Sequence, residues 1–153
     1  MSTVPAFASA TEALEVACAG LRFAAAADPA GLPAEAQGQC LQLCEQAGAL
    51  TTAVRSWFLA AFTTGHGYGA DAEYCAAAWL KHKTRVTKGA ACGHVGWARR
   101  AATHPGVLAA LAEGTVLTES MARIVCRWTD KLPPDCRPAA EAILVAAARA
   151  GGR

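Results

Sequence analysis

Asparagine is absent from this 153-residue chain, so no chemistry that needs its carboxamide to orient a water or a base can be assigned. Charged residues make up 17% and aromatics 7%, which leaves few side chains for a site. No window offers about 18 bulky apolar residues free of charge, and this excludes a membrane-spanning helix. The stretch Met1 to Ala10 has no basic n-region, and the alanine-rich segment after it carries Glu12, Glu15 and Arg22. A secretory signal is therefore not expected, and the cytoplasm, where thiols stay reduced, is the expected location. Seven cysteines, an odd number at irregular spacing, argue against a disulfide framework. No segment alternates with a period of two, so strands are not expected either.

What is present is alanine, about a quarter of the residues, and alanine is the best helix former. The fold class expected is all-α, a bundle of about six or seven helices forming one domain over residues 1–153. The formal net charge of +2 hides a polarity. Residues 1–78 carry two cations against seven carboxylates, and residues 79–153 carry twelve against five. Six basic residues and no acid lie between Lys81 and Arg100. This arrangement points to an anionic partner for the second half, or to docking between the halves.

Thr11 reads as an N-cap, followed by Leu14, Cys18, Leu21 and Ala25 at helical spacing as far as Asp28-Pro29. After the Gly31-Leu32-Pro33 break, a long helix is expected over residues 34–63. Along it Ala36, Cys40, Leu43, Ala47, Leu50, Val54, Trp57 and Ala61 alternate steps of four and three, a heptad seam extending on the order of 40 Å. The seam is alanine-heavy and lacks flanking charge pairs, which favours a partner within the chain; self-association through residues 36–61 is the alternative. Gly65-His66-Gly67-Tyr68-Gly69 reads as a mobile linker, since no Gly-Lys-Ser/Thr follows to make a phosphate loop.

A helix-turn-helix-like hairpin is expected over residues 71–103. Asp71 caps its first helix, Lys83 to Val86 forms the turn, and Thr87 caps the second helix. Pro105 ends that helix by disfavouring the α region at His104. A short helix over Val107 to Leu111 stops at Gly114. Thr118 caps the next, with Met121, Val125, Trp128 and Leu132 facing inward and Arg123, Arg127 and Lys131 on another face. Pro133-Pro134 precedes a last helix to Ala150. Trp57, Trp79, Trp97 and Trp128 are expected as core anchors, and the cysteines as small buried apolar residues.

The basic hairpin is the best candidate site. If the second helix enters a major groove, Lys88, Cys92 and Arg99 share one face of it, while Lys81, Lys83 and Arg85 approach phosphates from the first helix and turn. Arg100, and Arg123 with Arg127 on the later helix, could extend the surface. The alternative is an ordinary helical hairpin with a solvated basic side. Cys40 and Cys44 at i, i+4, and Cys92 with His94, do not complete a four-ligand zinc set, so no metal or cofactor is expected. Neither a carboxylate pair nor an activated serine or cysteine is evident.

Ala78-Trp79-Leu80, Arg85-Val86-Thr87, Val95-Gly96-Trp97-Ala98-Arg99-Arg100, His104-Pro105, Ala109-Ala110-Leu111-Ala112-Glu113-Gly114 and Trp128-Thr129-Asp130-Lys131-Leu132-Pro133 occur in this order. In their order and spacing they resemble the actinobacterial domain of unknown function family 222, with a looser likeness at Leu21-Arg22-Phe23 and Leu59-Ala60-Ala61-Phe62. In that family the domain commonly sits upstream of an HNH nuclease module. That module needs a metal-binding histidine, a general-base histidine and usually an asparagine. The absence of asparagine and the scattered histidines place no catalytic residue in this chain. The resemblance implies a truncated, non-catalytic N-terminal module of an HNH-endonuclease-associated protein that binds or positions DNA. The alternatives are a self-association module and the leading fragment of an HNH-type endonuclease.

Overall fold

The computed structural model describes residues 6–151, and among them every regular element is helical. The chain forms two compact units, Met1–Cys40 and Leu41–Arg153.

In the first unit, α1 (Ala10–Ala25) begins two residues earlier than a Thr11 cap allows. Ser9 is the cap: its Oγ accepts the Glu12 N–H at 3.1 Å, and Glu12 Oε2 accepts the Ala8 N–H at 2.7 Å. Ser9-Ala10-Thr11-Glu12 has the sequence of a capping box, but Glu12 reaches one residue past the cap, to the Ala8 N–H, and the two bonds together fix the start. No residue of α1 is buried. A 3-10 turn at Pro29–Gly31 follows, capped by Asp28. The Gln37 side-chain amide donates to the carbonyls of Pro29 and Leu32, both at 2.9 Å, tying this turn to the start of α2 (Ala34–Thr64).

The second unit takes the rest of α2, then α3 (Ala76–Thr84), α4 (Lys88–Ala101), α5 (Pro105–Ala112), α6 (Glu119–Thr129) and α7 (Arg137–Gly151). Helix α4 packs on α3, and α5, α6 and α7 pack on one another. The core joins Ala49 and Ala53 of α2 to Trp97, Ala101, Val107, Leu108, Ala110, Leu111, Leu117, Ala122, Val125, Cys126 and Val145.

This core corrects the expected inward faces. Helix α2 buries Ala49, Thr52, Ala53, Ser56 and Leu59, and none of the heptad-seam residues; Leu43, Leu50 and Trp57 are exposed. Helix α6 buries Ala122, Val125, Cys126 and Thr129, and leaves Met121 and Trp128 exposed, as is Leu132 beyond the end of α6. The physical reason is common to both helices. Small side chains let backbones approach closely, and hydroxyls can be buried once they are hydrogen-bonded. Ser56 Oγ donates to the Thr52 carbonyl at 2.7 Å, and Thr129 Oγ1 to that of Val125 at 2.9 Å. Of the four tryptophans only Trp97 is buried, and of the seven cysteines only Cys126.

Two turns depend on special backbone. Gly114 ends α5 at φ +74°, and a Cβ there would lie 3.0 Å from Leu50 Cγ, so that both its conformation and its packing exclude a side chain. The glycine-rich linker folds into a 3-10 turn, Gly67–Asp71, against which Phe62 packs. A Cβ on Gly67 would sit 2.4 Å from the Phe62 ring.

Candidate nucleic-acid interface

The α3–α4 hairpin is built by two caps and one strained residue. Thr87 Oγ1 accepts the Ala90 N–H at 3.2 Å and starts α4. Asp71 does not cap α3; Cys75 holds that position, its sulfur 3.5 Å from the Ala78 nitrogen. The Asp71 carboxylate instead accepts the Trp79 indole N–H at 2.7 Å and Lys83 Nζ at 2.5 Å. These bonds, from Lys83 first and then Trp79, hold its carboxyl below the ordinary carboxylate range. Between the helices Arg85 adopts φ +58°, the left-handed region that any residue with a Cβ enters at a cost.

The basic residues named from the sequence divide into two groups. Lys81, Arg85, Lys88 and Arg99 are exposed and make no hydrogen bond or ion pair among the described residues. Lys81 lies in the last turn of α3, Arg85 in the turn, Lys88 at the first position of α4 and Arg99 three turns along it. Lys88, Cys92 and Arg99 are all exposed, Cys92 against the expectation of a buried cysteine. Lys81, Lys88 and Cys92 line a groove of about 230 Å³ together with Tyr74, which is exposed. Arg127 on α6 is exposed and likewise without a partner among the described residues.

Lys83, Arg100 and Arg123 are engaged elsewhere. Lys83 is paired with Asp71. Arg123 bonds Glu119 at 2.6 Å, and its guanidinium lies 4.5 Å from the Trp97 ring centroid. Burial raises the Glu119 carboxyl, but hydrogen bonds from Arg123 and Thr52 outweigh it and leave it below its ordinary value. Arg100 bonds Asp130. These three cations are paired with carboxylates at the surface, and each side chain stays partly exposed.

Arg100 belongs to a cluster that the sequence reading missed. His104, read only as a helix end, is 0% exposed. Its Nδ1 lies 2.6 Å from Glu141 Oε1 and its Nε2 2.8 Å from Asp130 Oδ1. A ring nitrogen facing an ionised carboxylate must carry a proton. With both nitrogens so placed, either the ring is an imidazolium or one carboxyl supplies the proton itself. Thus α4, the α5 start, the α6 end and α7 are pinned at one point. Desolvation raises the Asp130 carboxyl, yet the bonds from His104 and Arg100 prevail and lower it. Glu141 also lines a groove of about 580 Å³ between α5 and α7. A sequence signal existed: Glu141 is a lone acid in an alanine-rich helix and Asp130 ends α6, but nothing in their spacing joined them to His104.

Among the described residues no group of histidine, cysteine and carboxylate side chains is arranged to hold a metal ion. No helix among them is long and apolar enough to cross a membrane. Burial pushes the Cys126 thiol up to about 11, so it stays protonated at neutral pH and is a poor nucleophile.

Comparison with known proteins adds no relative. No family model, curated protein or solved structure matches the chain.

Proposed function

We propose that this chain is a non-catalytic helical module of an HNH-endonuclease-associated protein that binds duplex DNA without sequence preference. Binding runs through Lys81, Arg85, Lys88 and Arg99. The observation that carries this reading is the division of the cations: these four are exposed and unpaired on one helical hairpin, while their neighbours are bound to carboxylates. Unpaired lysine and arginine gain most from phosphate, because neutralising it releases condensed counterions. The resemblance to the domain of unknown function family 222 supports the nuclease association. The short turn between α3 and α4 supports a helix-turn-helix placement of α4.

The test is a salt series of fluorescence anisotropy with two duplexes of unrelated sequence. Four phosphate contacts give a slope of log K against log salt of about −3.6. The same affinity is expected for both duplexes. Absence of binding at low salt would overturn the reading.

A second reading, self-association through the α2 heptad face, is favoured by one observation: Leu43, Leu50 and Trp57 of that face are exposed. Sedimentation over a hundredfold concentration range tests it, with Leu43→Gln and Trp57→Gln expected to leave a monomer.

A further inference from the structure

Helix α1 lies in the first unit, apart in sequence from the α3–α4 hairpin. It is 16 residues long and buries none of them, with Leu14 45% and Leu21 53% exposed. A free helix of this length is marginal in water, so its stability calls for a partner. Leu14, Cys18, Leu21 and Ala25 fall on one stripe at steps of four, three and four, as d, a, d and a positions of a heptad.

The charges beside that stripe identify the partner. Glu12 is already used at the helix start, where it accepts the Ala8 N–H. The two remaining charges, Glu15 and Arg22, make no ion pair or hydrogen bond among the described residues. They are seven residues apart, about 10.5 Å along the axis, too far to meet within one helix. Each follows a stripe leucine by one residue, so both occupy e positions. In an antiparallel pair of identical helices e faces e, so Glu15 of each copy meets Arg22 of the other, and two-fold symmetry makes the bridge twice. The core layers then match large with small: Leu14 with Ala25, and Cys18 with Leu21. A parallel pair would set e against g, where Ala17 and Ala24 offer no charge.

We infer that α1 pairs antiparallel with α1 of a second copy of this chain, through Leu14, Cys18, Leu21 and Ala25 and two symmetric Glu15–Arg22 bridges. This contact involves neither the DNA-binding hairpin nor the α2 face. One short helix buries less than the roughly 800 Å² per partner of a standard interface, so the dimer is weak and exchanges rapidly.

Sedimentation equilibrium of the full chain tests it, with circular dichroism to verify that each variant keeps its helices. The unmodified chain dimerises, and Leu21→Asp is monomeric at every concentration reached. Glu15→Arg and Arg22→Glu each weaken the dimer about tenfold, the equivalent of about 1.4 kcal/mol. The double variant, with both changes, returns to within threefold of the original. A heterologous or lipid partner for α1 predicts no such rescue. A chain that stays monomeric up to millimolar concentration overturns the proposal. So does a dimer that survives Leu21→Asp, which would place the contact on another face such as that of α2, or a double variant weaker than either single one.

Discussion

Two ionic groups in the second unit use the same residue types to opposite ends. Around His104, every charge has a partner, and the partners lie on α4, α6 and α7. Along the α3–α4 hairpin, Lys81, Arg85, Lys88 and Arg99 have none among the described residues. An ion pair in the interior holds helices together but offers nothing to a ligand. An unpaired surface cation does little for the fold and is free to meet a phosphate. Counting charges along the chain merges these groups, and Arg99 and Arg100 illustrate the error. They are adjacent in sequence, yet Arg99 is exposed and unpaired while Arg100 is tied to Asp130.

The comparison breaks most severely at Glu141, which is 3% exposed. Glu141→Ala leaves the buried His104 Nδ1 with only the Thr129 hydroxyl, at 3.4 Å. Removing one partner of a buried pair costs about 3–5 kcal/mol, a large part of the stability of a small domain. Glu141→Gln keeps an acceptor and should lose less. Replacing both partners, as His104→Leu with Glu141→Leu, should recover much of the loss, because Asp130, which loses its His104 bond, is partly exposed and keeps Arg100. Urea denaturation of the four proteins gives this order directly. If Glu141→Ala proved as stable as the original chain, the cluster would not be what pins α7.

The unpaired group should respond in binding and not in folding. Lys88→Ala or Arg99→Ala should each reduce duplex affinity several-fold and lower the salt slope by about one, with an unchanged urea midpoint. Arg100→Ala should do the reverse, destabilising the fold while leaving the salt slope alone. Anisotropy and denaturation measured on the same three variants would separate the two groups. Equal binding losses at Arg99 and Arg100 would show that the division is false.

Acid should act on the paired carboxylates and not on the unpaired cations. Asp130 and Glu119 are both held below their ordinary carboxyl values in the folded chain. Such groups contribute stability that is present above the unfolded pKa, near 4, and is lost as pH falls through the lower folded value. The melting temperature should therefore fall below about pH 4. In Asp130→Asn the fall should be shallower, from a lower starting point. An unchanged acid slope in that variant would remove Asp130 from the account.

The helices themselves were legible in the sequence: α2 was expected at 34–63 and lies at Ala34–Thr64, and the Thr87 and Thr118 caps stand where expected. Facing was not. Reading large apolar residues as inward turned α2 and α6 by about one position, since the core selects alanine, serine and threonine for close approach. The site was legible as a set of cations and illegible as a division among them. Partners such as Asp71 for Lys83 and Asp130 for Arg100 lie 12 and 30 residues away, brought together only by packing.

The smallest expected effect sharpens the comparison at a single residue. Arg85 sits at φ +58°, where glycine is the usual helix terminator. A side chain there carries a conformational cost of about 1 kcal/mol. Arg85→Gly relieves that cost but gives the unfolded chain more freedom, worth about 0.5–1 kcal/mol, so the net gain is at most about 0.5 kcal/mol. The same change removes an unpaired cation from the turn, so DNA binding should weaken while the fold becomes firmer. Arg85→Ala removes the charge and keeps the strain. It should bind as weakly as the glycine variant and be no more stable than the original. Stability and affinity moving in opposite directions at one position is what an unpaired binding cation in a strained turn requires. If Arg85→Gly both destabilised the fold and left binding intact, Arg85 would belong with Arg100 among the structural cations.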